Sequence, residues 1–381
     1  MAWVFWSCLA VLGFTYAGYP LLMAALARLR PHPIRPLSQC PAMDVLVVAH
    51  DAAEMIEDKI DNLLALDYPP DRLRINIVCD GCSDDTAALI GRRLSPRLRL
   101  HAFPTRRGKS ACIGNVLPVL DRELVLFTDV RQRLDPMAAR ELASALGDPN
   151  VGAATGELAL QASNDFGRGI DAYWRYEKLI RRWESASGSL VGVTGAIYAA
   201  RREALPEVPP GLVLDDMWIP LGVASVGYRV VSVPTALAFD LASARPQAEQ
   251  VRKRRTLAGN VQLLLRWPDL ALPGAHPLAW RLWGHKWLRL LAPWLLALAF
   301  VSNAALAPVG WLYAMLLSLQ VIAYGLVALG RWRPTTQSWL PVRLCTAFFS
   351  LNLSAALALV DFLRNPESHL WNTTRAEGAA P

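Results

Sequence analysis

Hydrophobic and polar positions divide this chain into two kinds of territory. Trp3 to Ala27 contains no charged residue, nor does Leu290 to Gly330, and a third uncharged run covers Leu344 to Val360. A membrane-spanning helix needs roughly 20 apolar residues, so the first run predicts one span. The second run has 41 residues and would rise about 60 Å as one helix, nearly twice the roughly 30 Å hydrocarbon core. It is expected to break at Ser302-Asn303 and Pro308-Val309-Gly310 into two spans. The third run, extended back to Pro341, makes a fourth. Between the first span and the others lie about 260 residues of mixed polarity, enough for one domain with its own core.

Inside that stretch the pattern changes to short apolar runs alternating with helical periodicity. Val45 to Ala49, Leu73 to Val78, Leu98 to Ala102 and Leu124 to Phe127 read as buried strands. Ile56, Ile60, Leu63 and Leu64 recur at helical spacing before Asp67-Tyr68-Pro69-Pro70 stops the helix. Further helices are expected from near Asp84 and from Lys109 to Leu120. Such alternation predicts an α/β fold, a parallel sheet with helices on both faces. The expected division is an N-terminal anchor over 1–28, a Pro-rich linker over 29–42 and the α/β domain over 43–245. Interfacial amphipathic helices over 246–289, three membrane helices over 290–362 and a tail over 363–381 follow.

Composition adds the membrane's sidedness. Hydrophobic residues make up 53% of the 381, charged residues 19%, and the net charge is +7. Arg28, Arg30 and Arg35 follow the first span, and basic residues stay on the cytoplasmic side. The N-terminus is therefore expected outside and the large domain inside. Ala25-Leu26-Ala27 resembles a signal cleavage site, but the start carries no basic side chain and the apolar run is too long. The basic clusters Arg28–Arg35, Arg252–Arg255 and Arg281–Arg289 all flank membrane-proximal segments, so lipid headgroups account for them without nucleic acid. Cys79 and Cys82 form a lone Cys-x-x-Cys with no nearby His, which reads as packing thiols rather than zinc ligands.

Ligands of open α/β sheets bind beyond the carboxyl ends of the strands. The residues at those ends are His50-Asp51, Asp80-Gly81 and Thr128-Asp129. Carboxylates on one rim can reach a nucleoside and a metal ion, although an Asp after a strand also serves to cap the next helix. No Gly-x-Gly-x-x-Gly follows the first strand, which argues against a dinucleotide fold, and no phosphate loop is present. Asp215-Asp216 is either a helix start or a repelling pair in which one carboxyl has a raised pKa suited to a base. Tyr173, Tyr176, Ile180 and Trp183 share a helical face. They could offer sugar-stacking surfaces, with Glu177 beside them for hydroxyls, or simply pack.

Val45 to Glu54, then Cys79-Asp80-Gly81-Cys82-Ser83-Asp84-Asp85-Thr86, resembles the start of glycosyltransferase family 2, inverting enzymes of the GT-A fold. The order continues with Arg107-Gly108-Lys109, Phe127-Thr128-Asp129, Gly195-Ala196-Ile197-Tyr198, Leu214-Asp215-Asp216 and the basic run from Gln250 to Arg255. The resemblance covers roughly residues 43 to 265 and is greatest to the membrane branch that includes synthases of poly-N-acetylglucosamine, cellulose and hyaluronan. It implies that Asp80, with His50 and Glu54 beside it, holds the base or ribose of a UDP-sugar, and that Lys109 lies near the uracil or phosphates. It implies Asp129 as a ligand of Mg²⁺ or Mn²⁺ and Asp216, beside Asp215, as the base that deprotonates the acceptor. Tyr173, Glu177 and Gly195 are the candidate acceptor contacts.

Two departures from the family pattern bear on the site. Its Gln-x-x-Arg-Trp reads here as Gln250 followed by Lys253 and Arg254 without Trp, leaving open which of Arg254 and Arg255 meets the phosphates. Its Asp-x-Asp reads Asp129-Val130-Arg131, so one carboxylate is missing and Arg131 is a candidate for part of the positive charge. The expected product is an extracellular polysaccharide, built on the cytoplasmic side of a bacterial-type plasma membrane. Four spans are few for a polymer channel, which points to an oligomer or an export partner. Transfer of one sugar to a lipid carrier is the alternative within the chemistry. An inactive nucleotide-sensing membrane scaffold is the alternative outside it. Trp371 and Arg375 resemble a tail of related enzymes.

Overall fold

The computed structural model describes residues 1–161, 168–241 and 246–365. Helices α1 (Ala2–Gly13) and α2 (Tyr19–Leu29) make one apolar rod through a π-helical turn, Phe14–Gly18. Prolines at 31, 33 and 36 follow the rod, and the chain runs extended because their rings cannot continue a helix.

Among the described residues, eight strands form one sheet in the order β3-β2-β1-β4-β7-β6-β8-β5. β1 (Met43–Ala49), β2 (Leu73–Asp80), β3 (Leu98–Phe103) and β4 (Leu124–Thr128) are the four expected runs, each slightly longer than its apolar core. Their pairings with one another are all parallel. Every residue of β1, β2 and β4 is buried, as strands covered on both faces require. Helices α3 (Ala53–Leu64), α4 (Thr86–Gly91) and α5 (Lys109–Val116) follow β1, β2 and β3 in turn. Beyond β4 come β5 (Arg133–Leu134), α6 (Ala138–Ala145), β6 (Val151–Gln161), α7 (Arg168–Ala186), β7 (Ile197–Arg201), α8 (Asp215–Ser225) and β8 (Arg229–Leu241).

This second half departs from an all-parallel sheet. β7 runs antiparallel to β4 and β6, β5 runs antiparallel to β8, and β6 and β8 are parallel. One face of the sheet packs on Ile56, Ile60 and Leu63 of α3 and Leu142 of α6. The other packs on Ile113 of α5 and Met217, Ile219 and Leu221 of α8. All six cysteines are free thiols.

The chain then returns through α9 (Pro246–Arg266) and α10 (Ala279–Leu282) to a second π-helical turn, Trp283–Trp287, which leads into α11 (Leu288–Leu306). α12 (Trp311–Trp332) and α13 (Leu340–Arg364) complete the described chain. Among the described residues, four stretches are long and apolar enough to cross a membrane: Ala2–Leu29, Ala279–Leu306, Trp311–Trp332 and Leu340–Arg364. The long uncharged run breaks after Leu306, at the expected Pro308–Gly310 segment. Ser302 and Asn303 stay inside α11, where the Ser302 hydroxyl finds its partner on the same helix, donating back to the Leu298 carbonyl at 2.7 Å.

Helix α9 lies against α13, with Ala258 packed on Ala358 and Phe362. The apolar positions of α9, one of the expected amphipathic helices, divide: Ala258 and Val261 join that contact, whereas Val251 and Leu265 are exposed. The face of α7 carrying Tyr176, Ile180 and Trp183 packs on Tyr19, Met23 and Leu26 of α2. Packing therefore accounts for Tyr176, Ile180 and Trp183. The side chains of Tyr173 and Gln250, and all of Trp371 and Arg375, lie outside the described residues.

Candidate active site

The carboxyl ends of β2, β1 and β4 stand side by side, where the order of connection reverses. His50, Asp80 and Asp129 follow from that placement. Loops at these ends are laced together by carboxylates. Asp51 accepts from the Ser83 amide at 2.7 Å, and Asp84 accepts from the Ala53 amide at 3.0 Å. The Asp51 carboxyl is held below its ordinary range, chiefly by the Ser83 amide. His50 Nδ1 lies 2.6 Å from the Asp80 carbonyl. Glu54 stands exposed in the first turn of α3.

Asp80 is fully enclosed, and its two oxygens accept from the Arg107 amide at 2.6 Å and the Gly108 amide at 2.9 Å. In this structure it shapes the loop that leads to Lys109. Gly81 makes that approach fit, since it adopts φ 59° and a Cβ there would lie 2.4 Å from the Arg106 nitrogen. Neither Asp80 nor Asp129 caps a helix: α4 is preceded by Asp85 and α6 by Met137.

Three carboxylates and two cations converge beyond the sheet. Lys109, the first residue of α5, places Nζ 2.9 Å from Asp129 Oδ1 and 3.2 Å from Asp215 Oδ2. Burial pulls against its charge, but Asp129 and Asp215 outweigh that and hold the ammonium above the ordinary lysine range. Asp215 and Asp216 open α8, as the helix-start reading has it. Burial first, then the charge of Asp215, push the Asp216 carboxyl up to about 6 against the pull of Lys109. Gly195 leaves space beside it, since a Cβ there would lie 3.4 Å from Asp216 Oδ2.

The basic run of α9 divides its labour. Arg255 faces Asp215, Asp216 and Asp129, whose charges oppose the effect of burial on its guanidinium, and its Nε has no hydrogen-bond partner among the described residues. Arg254 turns the other way and lies 3.8 Å from Asp361 of α13. Arg131 is also engaged elsewhere: its guanidinium donates to Asp240 at 2.6 Å, and Gln132 donates to the same oxygen at 2.9 Å.

Sequence reasoning missed two features here. Lys59, on the inner face of α3, is 3% exposed and donates to Thr128 Oγ1 at 3.1 Å and the Gln132 carbonyl at 2.5 Å. One turn on, Asn62 exchanges two 2.8 Å hydrogen bonds with the Leu134 backbone. Together they clamp the segment that carries Asp129. Burial draws the Lys59 ammonium down to about 7, with Asp129 opposing. A charged residue inside an apolar helical stripe was the available signal.

The second is a buried polar joint. His285 Nδ1 lies 2.8 Å from Glu184 and Nε2 2.5 Å from Glu177. Tyr19 of α2 donates to Glu184, and Arg289 donates to Glu177 at 2.8 Å. Burial raises both carboxyls, yet the basic groups around them, His285 first, leave them below the ordinary range. Glu177, expected among acceptor contacts, is committed to this joint. A cavity of about 120 Å³ runs from it to Asp216, lined also by Arg181, Thr256 and Lys286.

The metal implied by the resemblance can be tested against these groups. Among the described residues, no group of three or more His, Cys, Asp or Glu could hold an ion. Asp129, with its side chain 42% exposed, offers a carboxylate on the rim. Magnesium-type ions bind through one or two carboxylates plus substrate phosphates and waters, so Asp129 fits one provided that phosphates share the ion.

A Rossmann-like sheet with acidic residues at its switch point, joined to four apolar helices, defines a membrane-associated GT-A glycosyltransferase architecture. The model of glycosyl transferase family group 2 matches residues 124–360, more than half the chain, and the chain belongs to that family. It is similar to the poly-beta-1,6-N-acetyl-D-glucosamine synthase of Staphylococcus epidermidis, 22% identical over 61% of this chain and 58% of that one. The synthase of Staphylococcus aureus strain COL is 24% identical over 58% and 55%. A probable glycosyltransferase, YdaM of Bacillus subtilis, is 21% identical over 60% and 58%. The chain thus matches little more than half the length of these relatives. Among solved structures, mannosyltransferase PcManGT from Pyrobaculum calidifontis, in complex with GDP-Man and Mn²⁺, superposes with a TM-score of 0.68. It is 23% identical and covers 94% of this chain and 99% of that one, a likeness of fold.

Proposed function

We propose that this chain is an inverting glycosyltransferase that moves a hexose or N-acetylhexosamine from a UDP-sugar to a growing polysaccharide at the membrane. The observation that carries the reading is Asp216, a carboxyl with its pKa raised to about 6, at the end of a cavity reaching toward the membrane helices. A sugar hydroxyl is a poor nucleophile near neutral pH, and a positioned base with a pKa near the working pH remedies that.

Asp216 takes the proton of the acceptor hydroxyl as its oxygen bonds to the anomeric carbon of the donor. The bond from that carbon to the nucleoside diphosphate breaks on the opposite side, so an α-linked donor gives a β-linked product. Lys109 and Arg255 offset charge on the departing diphosphate, while Asp80 and Gly81 keep the Lys109 loop in place. His50 and Glu54 border the nucleoside end of the rim. A divalent ion at Asp129, when bound, supplies further positive charge to the diphosphate.

The polysaccharide synthases among the relatives support a polymer product. The cavity favours an acceptor held between the domain and the membrane, which also suits a single transfer to a lipid-linked acceptor. Arg28 and Arg30, at the end of the first apolar rod, support a catalytic domain on the cytoplasmic side of a bacterial-type membrane. The test is donor turnover by the full chain in lipid nanodiscs with a panel of UDP-sugars, an Asp216→Asn variant alongside. UDP release from one donor that stops in the variant supports the reading, and product length separates polymer from single transfer. Nucleotide binding with no turnover under any acceptor would favour an inactive sensor, and no nucleotide binding would sink the assignment.

A further inference from the structure

The charges at Asp129 raise the question of how a divalent ion could enter. Lys109 Nζ already sits 2.9 Å from Asp129 Oδ1 and ties that residue to Asp215 at 3.2 Å. The neighbouring motif position holds Arg131, which is bound to Asp240 and contributes no carboxylate. An ion arriving from water would gain one protein carboxylate. It would also push a largely buried ammonium off its partner while standing beside it as a like charge. Ions of the Mg²⁺ class give up their waters reluctantly for so little.

A nucleoside diphosphate changes that balance. Its oxygens supply the missing ligands to the ion and new acceptors for the displaced ammonium. They also face Arg255, whose buried Nε has no hydrogen-bond partner among the described residues. We propose that Lys109 is a resident counter-ion on Asp129, which bars free divalent ions from the donor-free enzyme and yields the carboxylate to an ion that arrives with the nucleotide diphosphate. This inference rests on the nucleotide-sugar reading above. It makes metal and donor uptake one coupled event, so each ligand must tighten the other by the same factor.

Electron paramagnetic resonance of Mn²⁺ reads this directly, because the sharp signal of the free ion is lost on binding. The full chain in phosphatidylcholine nanodiscs is titrated with MnCl₂ alone, with saturating UDP and with saturating GDP, empty nanodiscs serving as the blank. Mn²⁺ is expected to bind at least about tenfold more tightly with one of the nucleotides than without, a coupling in the range common for linked sites. Lys109→Met is expected to bind Mn²⁺ alone at least about tenfold more tightly than the native chain does. Asp129→Asn is expected to lose the site in both. Equal Mn²⁺ affinity with and without nucleotide in the native chain overturns the inference and needs no variant to fold. So does a folded Lys109→Met chain whose nucleotide-free affinity is unchanged. If a nucleotide binds without affecting Mn²⁺, only the counter-ion inference falls. If neither nucleotide binds under any condition, the nucleotide-sugar reading falls and takes this one with it.

Discussion

At the scale of single residues, the acidic pair and the basic run make opposed demands. Asp216 works as a base only when ionised, and burial beside Asp215 has lifted its pKa to about 6. The kcat/KM is therefore expected to rise about tenfold per pH unit below 6 and to level off above it, a profile measurable with the nanodisc preparation. Asp216→Asn is expected to lower turnover by about 10²–10⁴-fold with little change in nucleotide affinity. Arg254 and Arg255 are adjacent in sequence but point about a quarter turn apart on a helix. Arg255 faces the carboxylates of the site and Arg254 faces Asp361. Arg255→Met is expected to weaken UDP binding about 10–100-fold, the worth of a charge-assisted hydrogen bond, whereas Arg254→Met leaves it within about twofold. A calorimetric titration of UDP distinguishes them, and the reverse result would reassign the phosphate contact.

At the scale of elements, α3 governs the segment that carries Asp129. Lys59→Met leaves the buried Gln132 carbonyl and Thr128 hydroxyl without their donor, a loss of about 1–3 kcal/mol. The expected result is a lower melting temperature together with weakened Mn²⁺ binding in the presence of UDP. An unchanged melt and unchanged binding would show that the clamp does not matter. This arrangement was hidden in the sequence. Ile56, Ile60 and Leu63 announced the helix and its buried face, but a lysine among them reads locally as a solvated position. Only the fold brings Thr128 and Gln132 over it. The four parallel strands were legible because each is a continuous apolar run set off by turn residues. The antiparallel strand β7 was not, since its pairing with β4 and β6 depends on residues far away in sequence. The rim carboxylates were legible from their places after apolar strands. The enclosure of Asp80, the partners of Arg131 and the division between Arg254 and Arg255 depend on direction in space, which spacing does not encode.

At the scale of the whole molecule, the catalytic domain and the membrane helices share a buried ionic joint. Glu184 is fully buried and His285 1% exposed. Removing one partner of such a cluster strands the others in a low-dielectric setting, at a cost of about 3–5 kcal/mol. His285→Leu is therefore expected to lower the melting temperature of the detergent-solubilised chain well beyond Arg254→Met, and proteolysis should open the α2–α7 contact first. A melt equal to that of Arg254→Met would mean that the joint contributes little. His285 reaches both glutamates from a π-helical turn, Trp283–Trp287, and Gly284 in the same turn lies so close to Tyr19 that a Cβ would sit 2.0 Å from its ring. A π turn amounts to one residue more than an α-helix would use. Deleting a single residue there would let the helix close up as a regular α-helix while the residues after it keep their faces, because the π turn spends its extra residue within about the same rotation. Gly284 and His285 would lose their places against Tyr19 and the two glutamates, whereas Arg289 and the apolar faces of α11 would still meet their present neighbours. One codon in this family could thus build or dismantle the joint while leaving the membrane helix where it stands, a step by which evolution can couple or uncouple the two halves and leave the chemistry alone.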